Sequence, residues 1–280
     1  MMKKRKSRLP SLVTGIPVNI TLFFLALLVL VPILWLIFST FKPEKEIISY
    51  PPTFWPRTLT VENFSTVSQR IKIWRYVLNS VIYAGGTTTL AIIINSLAGY
   101  AYARFDFRGK NICFLFTLAT MMIPFQVIMV PSFLVVYKAG MYNTYWGLII
   151  PRVVVATSIF MMRAAFTGLP KELEDAGRID GLSEFGIYTR IMLPQVKPAL
   201  ICLIILSFNG SWNDLLWPML VASKTDMRTL ANGLALFVGE FTVQYGAAFA
   251  GTMISLVPML LMFVFGQKYF VEGLASTGLK

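Results

Sequence analysis

Six stretches of this chain are apolar for about as long as a bilayer is thick, a pattern for which water-soluble folds have no use. A hydrocarbon core takes about 20 residues of helix at about 1.5 Å rise each. Val18–Ser39, Val77–Ala103, Ile112–Val136, Tyr145–Phe166, Ala199–Leu220 and Gly246–Gln267 each reach that length. Hydrophobic residues make up 56% of the chain and charged residues only 14%, with a mean hydropathy of +0.68. A soluble domain carries more charge. The pattern predicts an all-α integral membrane protein with six transmembrane helices.

The charge of +12 would suggest nucleic acid in a soluble protein. Here the basic residues sit in short segments between apolar runs, where they set orientation, so no nucleic-acid partner is expected. Of the 25 Lys and Arg, fifteen fall on one side of the six runs and nine on the other, with Arg152 inside a run. The richer side holds Lys3, Lys4, Arg5, Lys6 and Arg8, the loop with Arg104, Arg108 and Lys110, the segment from Arg163 to Lys197, and Lys268 and Lys280. Both termini are therefore expected in the cytoplasm. The first run is long and exits through Ser39-Thr40-Phe41-Lys42-Pro43 without a small-x-small site, which favours an uncleaved anchor over a signal peptide. The expected organisation is a basic tail (1–17), a first span (18–39), an external loop (40–76), a five-helix core (77–267) and a C-terminal tail (268–280).

Cys113 and Cys202 lie inside apolar runs and read as small hydrophobes, without a disulfide or metal role. The chain has no histidine, which removes Ser-His-Asp catalysis and His-ligated metals.

Between the fourth and fifth runs, residues 168–198 form a polar, helix-forming insert. Pro170 suits a helix start, and Glu172, Glu174 and Asp175 follow in the first turns, favourable at the positive end of the helix dipole. Asp180-Gly181 stops that helix and permits a sharp bend. A second short helix then carries Phe185, Tyr188 and Ile191 at three-residue spacing, along one face. Two short amphipathic helices at an angle suit a groove on a soluble partner.

Asp175-Ala176-Gly177, Arg178, Asp180-Gly181, Tyr188, Ile191, Leu193-Pro194 and Pro198 together resemble the EAA loop of ABC importer membrane subunits. That pattern is a Glu-Ala-Ala triplet, an Asp-Gly pair, an aromatic, an Ile, Leu-Pro and a further Pro. The triplet here departs at two of its three positions, while the rest keeps register. Tyr50-Pro51-Pro52-Thr53-Phe54-Trp55-Pro56 with Thr60-Val61-Glu62-Asn63-Phe64, then Trp212-Asn213 with Pro218, then Gln267–Leu274, resemble the carbohydrate-uptake branch typified by the second maltose permease and the glycerol-3-phosphate permease. The resemblance implies the type I ABC importer permease fold in a bacterial or archaeal cytoplasmic (inner) membrane. It implies a second, non-identical permease, two copies of an ABC ATPase, an external solute-binding protein and a sugar or sugar derivative as substrate. It also implies that Glu172, Asp175, Ala176, Gly177, Arg178, Asp180, Gly181, Phe185, Tyr188 and Ile191 dock the ATPase. The chain has no Gly-x-x-x-x-Gly-Lys-[Ser/Thr] loop, so no cofactor is expected on it, and ATP and Mg belong to the ATPase.

Several polar or kinking residues fall at membrane depth. Pro32, Pro124, Pro131, Pro151 and Pro258 can bend helices and free carbonyls. Asn95, Arg152, Asn209, Asn213 and Asp214 are costly there, and Arg152 either snorkels or serves a pathway. In the run 207–218, Asn209, Trp212, Asn213, Asp214 and Trp217 combine aromatic faces with amides and a carboxylate, as a sugar pathway needs. An interfacial aromatic belt with interhelical hydrogen bonds is the other reading. Three alternatives to the sugar importer remain: an ion-coupled secondary transporter, an importer permease for a non-sugar solute, and a membrane enzyme. The first needs a carboxylate network, for which only Asp214 offers itself, and the last finds no constellation of acids, bases and nucleophiles.

Overall fold

The computed structural model describes residues 12–239 and 243–278, with side chains at 18–239 and 243–267. The expectations for Lys3, Lys4, Arg5, Lys6, Arg8 and Lys280 lie outside the described residues, as does the Lys268 side chain. Apart from one bridge between Val238 and Val243, the regular elements are helices. In chain order they are α1 (Leu12–Thr40), α2 (Glu44–Ile47), α3 (Glu62–Arg70), α4 (Ile73–Arg104), α5 (Lys110–Ala119), α6 (Phe125–Lys138), α7 (Tyr145–Val153) and α8 (Ala156–Thr167). There follow α9 (Glu172–Ile179), α10 (Glu184–Ile187), α11 (Leu193–Gln195), α12 (Lys197–Trp212), α13 (Leu216–Val221), α14 (Leu230–Leu234) and α15 (Tyr245–Gly278). A π turn, Tyr188–Met192, joins α10 to α11.

Contacts divide the chain into two compact units. The first holds residues up to Gln69 with Phe237–Ile254. In it α1 is exposed from Val18 to Leu34, a surface that needs lipid or protein rather than water. Beyond it the chain knots on itself. Asn63 Nδ2 donates to the carbonyls of Thr40 and Lys42, each at 2.8 Å. The Glu44 carboxylate accepts from the backbone N–H groups of Tyr245 and Gly246 at 2.8 Å, supplying the first donors of α15 with the acceptors a helix start lacks. A Cβ at Gly246 would lie 2.2 Å from Asn63 Oδ1, so this close approach requires glycine. Buried Lys42 donates to the Thr53 carbonyl, and burial lowers its pKa.

The second unit holds residues 70–236 and those from Ser255 onward. Its centre is α4, against which α7, α8, α12 and α14 pack. A Cβ at Gly99 would come within 2.6 Å of Met162 Cβ, so α4 and α8 approach closely through a small residue, as membrane helices do. Two apolar clusters flank α4. One gathers Tyr100, Met162, Phe166, Ile187, Tyr188, Met192 and Leu203, and the other Tyr83, Val136, Leu148, Ile149, Val153, Trp217 and Val221.

Six spans are expected from the apolar runs, and three of those runs are interrupted. Among the described residues, only α1, α4 and α15 are single helices long and apolar enough to cross a bilayer. The third run turns by 104° between Lys110–Met122 and Phe125–Lys138, and the fourth by 49° between α7 and α8. In the fifth, α12 is 16 residues long, about 24 Å against a core of about 30 Å. It resumes as α13 after Asn213-Asp214-Leu215. Pro124 and Pro151 mark the first two of these breaks in the sequence, while the apolar pattern itself runs through them.

The freed backbone groups are re-satisfied by side chains. Pro151 has no N–H for the Gly147 carbonyl one turn earlier. Trp217 Nε1 donates to that carbonyl at 3.2 Å and to Leu148 at 3.1 Å. At the α7–α8 break, buried Asn95 donates to the Val153 carbonyl at 2.9 Å and accepts from the Val155 N–H at 3.2 Å. Its amide stands in for the missing helical bonds, which accounts for a costly polar residue at membrane depth.

Candidate functional site

The insert is built as two helices around a glycine corner. Helix α9 ends at Ile179, and Gly181 adopts φ +77°. The Leu182 N–H reaches the Gly177 carbonyl at 3.0 Å and the Gly181 N–H reaches that of Arg178 at 3.1 Å. These are the two bonds of a Schellman ending, which places glycine at the left-handed position. Ser183 Oγ then accepts from the Gly186 N–H at 3.2 Å and starts α10. Arg178 clamps the corner, with Nη1 3.0 Å from Asp175 and Nε 2.9 Å from Glu184. That guanidinium holds the Glu184 carboxyl below the usual carboxylate range.

The insert is anchored on α4 by groups that sequence alone does not single out. Glu174, placed by sequence among helix-start carboxylates, is only 5% exposed. It accepts from the Tyr100 hydroxyl at 2.9 Å and lies 3.6 Å from Arg104 Nε. Arg104 Nη2 donates to the Leu169 carbonyl at 2.6 Å. Tyr188 Oη lies 2.7 Å from Ser96 Oγ, and its ring centroid is 5.1 Å from that of Tyr100. Burial pushes the Tyr188 hydroxyl pKa up. The only sequence signal for this anchor is a carboxylate three residues before Gly177, on the inward face of α9.

The single apolar face expected of Phe185, Tyr188 and Ile191 is corrected. Tyr188 is buried in the chain's own core, and Ile191 is half-buried, its Cδ1 so close that a Cβ at Gly177 would meet it at 2.7 Å. The Phe185 and Tyr188 rings do meet, with centroids 6.0 Å apart, but Tyr188 faces inward onto α4. Phe185 stays outside, 66% exposed, as does Ile179 at 86%. Glu172, Asp175, Ala176, Arg178, Asp180 and Gly181 are exposed on α9 and the corner, whereas Gly177 is buried.

The second region lies where the three interruptions meet. Arg152 Nε stands 3.3 Å from Asp214 Oδ2, with the carboxylate side chain only 8% exposed. The same oxygen accepts from the Tyr83 hydroxyl at 2.9 Å, and Asp214 Oδ1 accepts from the Trp217 N–H at 3.3 Å. The guanidinium lies 4.1 Å from the centre of the Phe125 ring. Of the two readings open for Arg152, snorkelling does not describe this geometry, since an internal carboxylate faces it. Beside the pair opens a cavity of about 610 Å³ lined from the third, fourth and fifth runs, including Ile123, Arg152, Val155, Thr157, Ser207 and Gly210. Asn209 and Asn213 are exposed and bonded to each other at 2.7 Å. Trp212 is buried, its Nε1 donating to the Ser255 carbonyl at 3.1 Å, and Trp217 is buried against α7. Among the described residues no group of acids and cysteines is arranged to hold a metal.

A membrane-embedded helical fold with an anchored, bent polar insert has known counterparts. The sequence pattern of the binding-protein-dependent transport system inner membrane component family matches residues 91–271. The chain belongs to that family. It is 39% identical over 260 residues to the arabinooligosaccharides transport system permease protein AraQ of Halalkalibacterium halodurans, covering 92% of this chain and 93% of that one. It is 29% identical to the lactose transport system permease protein LacG of Rhizobium radiobacter, covering 99% of each. Its fold matches a chain of a bacterial ABC transporter importing the acidic polysaccharide alginate, with TM-score 0.79 and 21% identity over 96% of this chain and 99% of that one. The all-α permease fold expected from sequence is thus the fold of this family member, a multi-pass integral membrane protein.

Proposed function

We propose that this permease carries a sugar or sugar derivative across a bacterial or archaeal cytoplasmic membrane as half of a heterodimer. An external solute-binding protein delivers the sugar. A separate ABC ATPase, two copies per complex, binds and hydrolyses ATP with its Mg. The insert and both termini face the cytoplasm, so the ATPase meets α9, the Gly181 corner and Phe185. The observation that carries this reading is the anchored insert: a rigid corner exposed outward and locked inward through Glu174 to α4 is a lever between a soluble motor and a membrane helix. The carbohydrate-transport names of its relatives support the substrate class. The ion-coupled alternative needs a network of carboxylates within the membrane, and Asp214 is instead paired with Arg152 and Tyr83.

The test is co-purification with the ATPase, together with labelling of single cysteines at residues 171–185 from either side of sealed vesicles. Labelling from the outer face would end this reading. Two substitutions sharpen it. Phe185→Ala removes an exposed apolar side chain without disturbing the core, and is expected to weaken ATPase capture by about tenfold or more. Pull-down against ATPase concentration reads it, and an unchanged midpoint removes Phe185 from the interface. At Gly181 an added Cβ would meet nothing within 4 Å, so Gly181→Asp acts through its left-handed backbone and by adding charge to the outer face, not through a clash. The strain is about 1–2 kcal/mol, eased for Asp. The variant is expected to insert normally and to lose uptake while ATP hydrolysis persists. Normal uptake would remove the corner from the coupling path.

A further inference from the structure

The geometry points to Asp214 as the residue that sets the charge preference of the pathway: by neutralising Arg152 it makes the cavity a site for uncharged saccharides and excludes acidic ones. The inference rests on the sugar-permease reading and names the substrate class within it.

Among the residues that line the cavity, Arg152 alone is charged. The remaining polar lining is hydroxyl in character, from Thr120, Ser132, Thr157, Ser158, Ser207 and Ser211, with backbone from the α7–α8 break. Hydroxyls donate to and accept from sugar hydroxyls, and the arginine donates to them, without needing a charge on the sugar. Had Arg152 no partner, this wall would be a cation aimed at the pathway, suited to a carboxylate or phosphate. It has one. Asp214 Oδ2 lies 3.3 Å from Nε, and its carboxylate is 8% exposed against 28% for Arg152. The negative charge thus sits behind the positive one, fixed by the Tyr83 hydroxyl and the Trp217 N–H. An entering anion meets a dipole, not an ion, and recovers little of the hydration it gives up, whereas a neutral sugar gives up far less.

The signal is independent of the relatives. It lies in the pairing of two residues 62 positions apart that helix breaks bring together, and it predicts a reversal when the pairing is cut. Asp214→Asn keeps the size and an acceptor for Tyr83 while leaving Arg152 charged.

The experiment uses the complete permease–ATPase complex in lipid nanodiscs, with Cys113 and Cys202 replaced and Ser207→Cys as a reporter in the cavity wall. Rates of modification by an anionic and a cationic methanethiosulfonate reagent, each relative to a free thiol, read the local charge without involving the binding protein. With Asp214 and Arg152 intact the two relative rates are expected to be similar. D214N should raise the anionic-to-cationic ratio about tenfold or more, and R152Q should lower it by a like factor, because a cleft focuses the field of an unpaired charge. Arabinotriose and maltotriose should protect the reporter, and trigalacturonate should protect it only in D214N. An unchanged ratio in D214N, or equal protection of the parent complex by trigalacturonate, overturns the inference and leaves the sugar reading standing. Protection by none of the saccharides overturns the sugar reading and this inference with it. Should D214N fail to assemble, R152Q carries the charge test with opposite sign, and an unchanged ratio there overturns the proposal equally.

Discussion

Glu174→Ala is expected to cost about 3–5 kcal/mol, because removing one member of a buried charged pair leaves the other uncompensated. The group left behind is Arg104, whose side chain is 6% exposed, together with a Tyr100 hydroxyl that loses its acceptor. The damage should extend beyond stability. Glu174 fixes α9 to α4, so a complex that still assembles is expected to hydrolyse ATP without moving sugar. Glu174→Gln retains an acceptor for Tyr100 and should lie between parent and alanine variant in both readouts. Thermal unfolding of the detergent-purified complex and the ratio of uptake to hydrolysis in vesicles measure the two effects. An alanine variant with a parental melting midpoint and parental coupling would show that the insert is held to the spans by other contacts.

Trp217→Ala should be comparably severe. The indole is fully buried, its ring centroid lies 5.8 Å from that of Phe125, and its N–H serves the two carbonyls beside Pro151. Truncating a buried tryptophan costs about 3–5 kcal/mol through lost burial and the cavity left behind. The Gly147 carbonyl, already deprived of a helical donor by Pro151, is left orphaned and adds about 1–3 kcal/mol. Trp217→Phe isolates the second term, since it keeps most of the ring surface and loses only the donor. Recovery of folded complex and its melting midpoint should fall in the order parent, Phe, Ala, with the sugar preference of surviving complex unchanged. A variant that melts normally but transports a different sugar would make Trp217 a pathway residue.

These two side chains mark the limit of what sequence reveals here. Both stand in segments that sequence flagged, Glu174 in the insert and Trp217 in the aromatic run, yet the partners that hold them, Tyr100 and Arg104 for the first and Gly147 and Leu148 for the second, lie in distant parts of the chain. Asn95 is similar: its cost at membrane depth is legible, but that it bridges Val153 and Val155 is not. Tyr188 shows the opposite failure. Its spacing from Phe185 and Ile191 implies an outward apolar face, and its packing against Tyr100 and Ser96 on α4 turns it inward instead. Gly181 was the clearest local success, because the demand for a left-handed residue after a helix is written in the sequence itself.

Composition and run length by themselves determined that this chain lives in a bilayer, since nothing else accommodates so much apolar surface with so little charge. Local chemistry determined the helix–glycine–helix insert, because caps and corners depend on near neighbours. Only the tertiary structure decided that the fifth apolar run breaks at Asn213-Asp214-Leu215, that Asn95 and Trp217 mend the fourth, and that Arg152 meets Asp214 beside a cavity. Those outcomes depend on contacts between residues distant in the chain, and their energies arise only once the helices have packed.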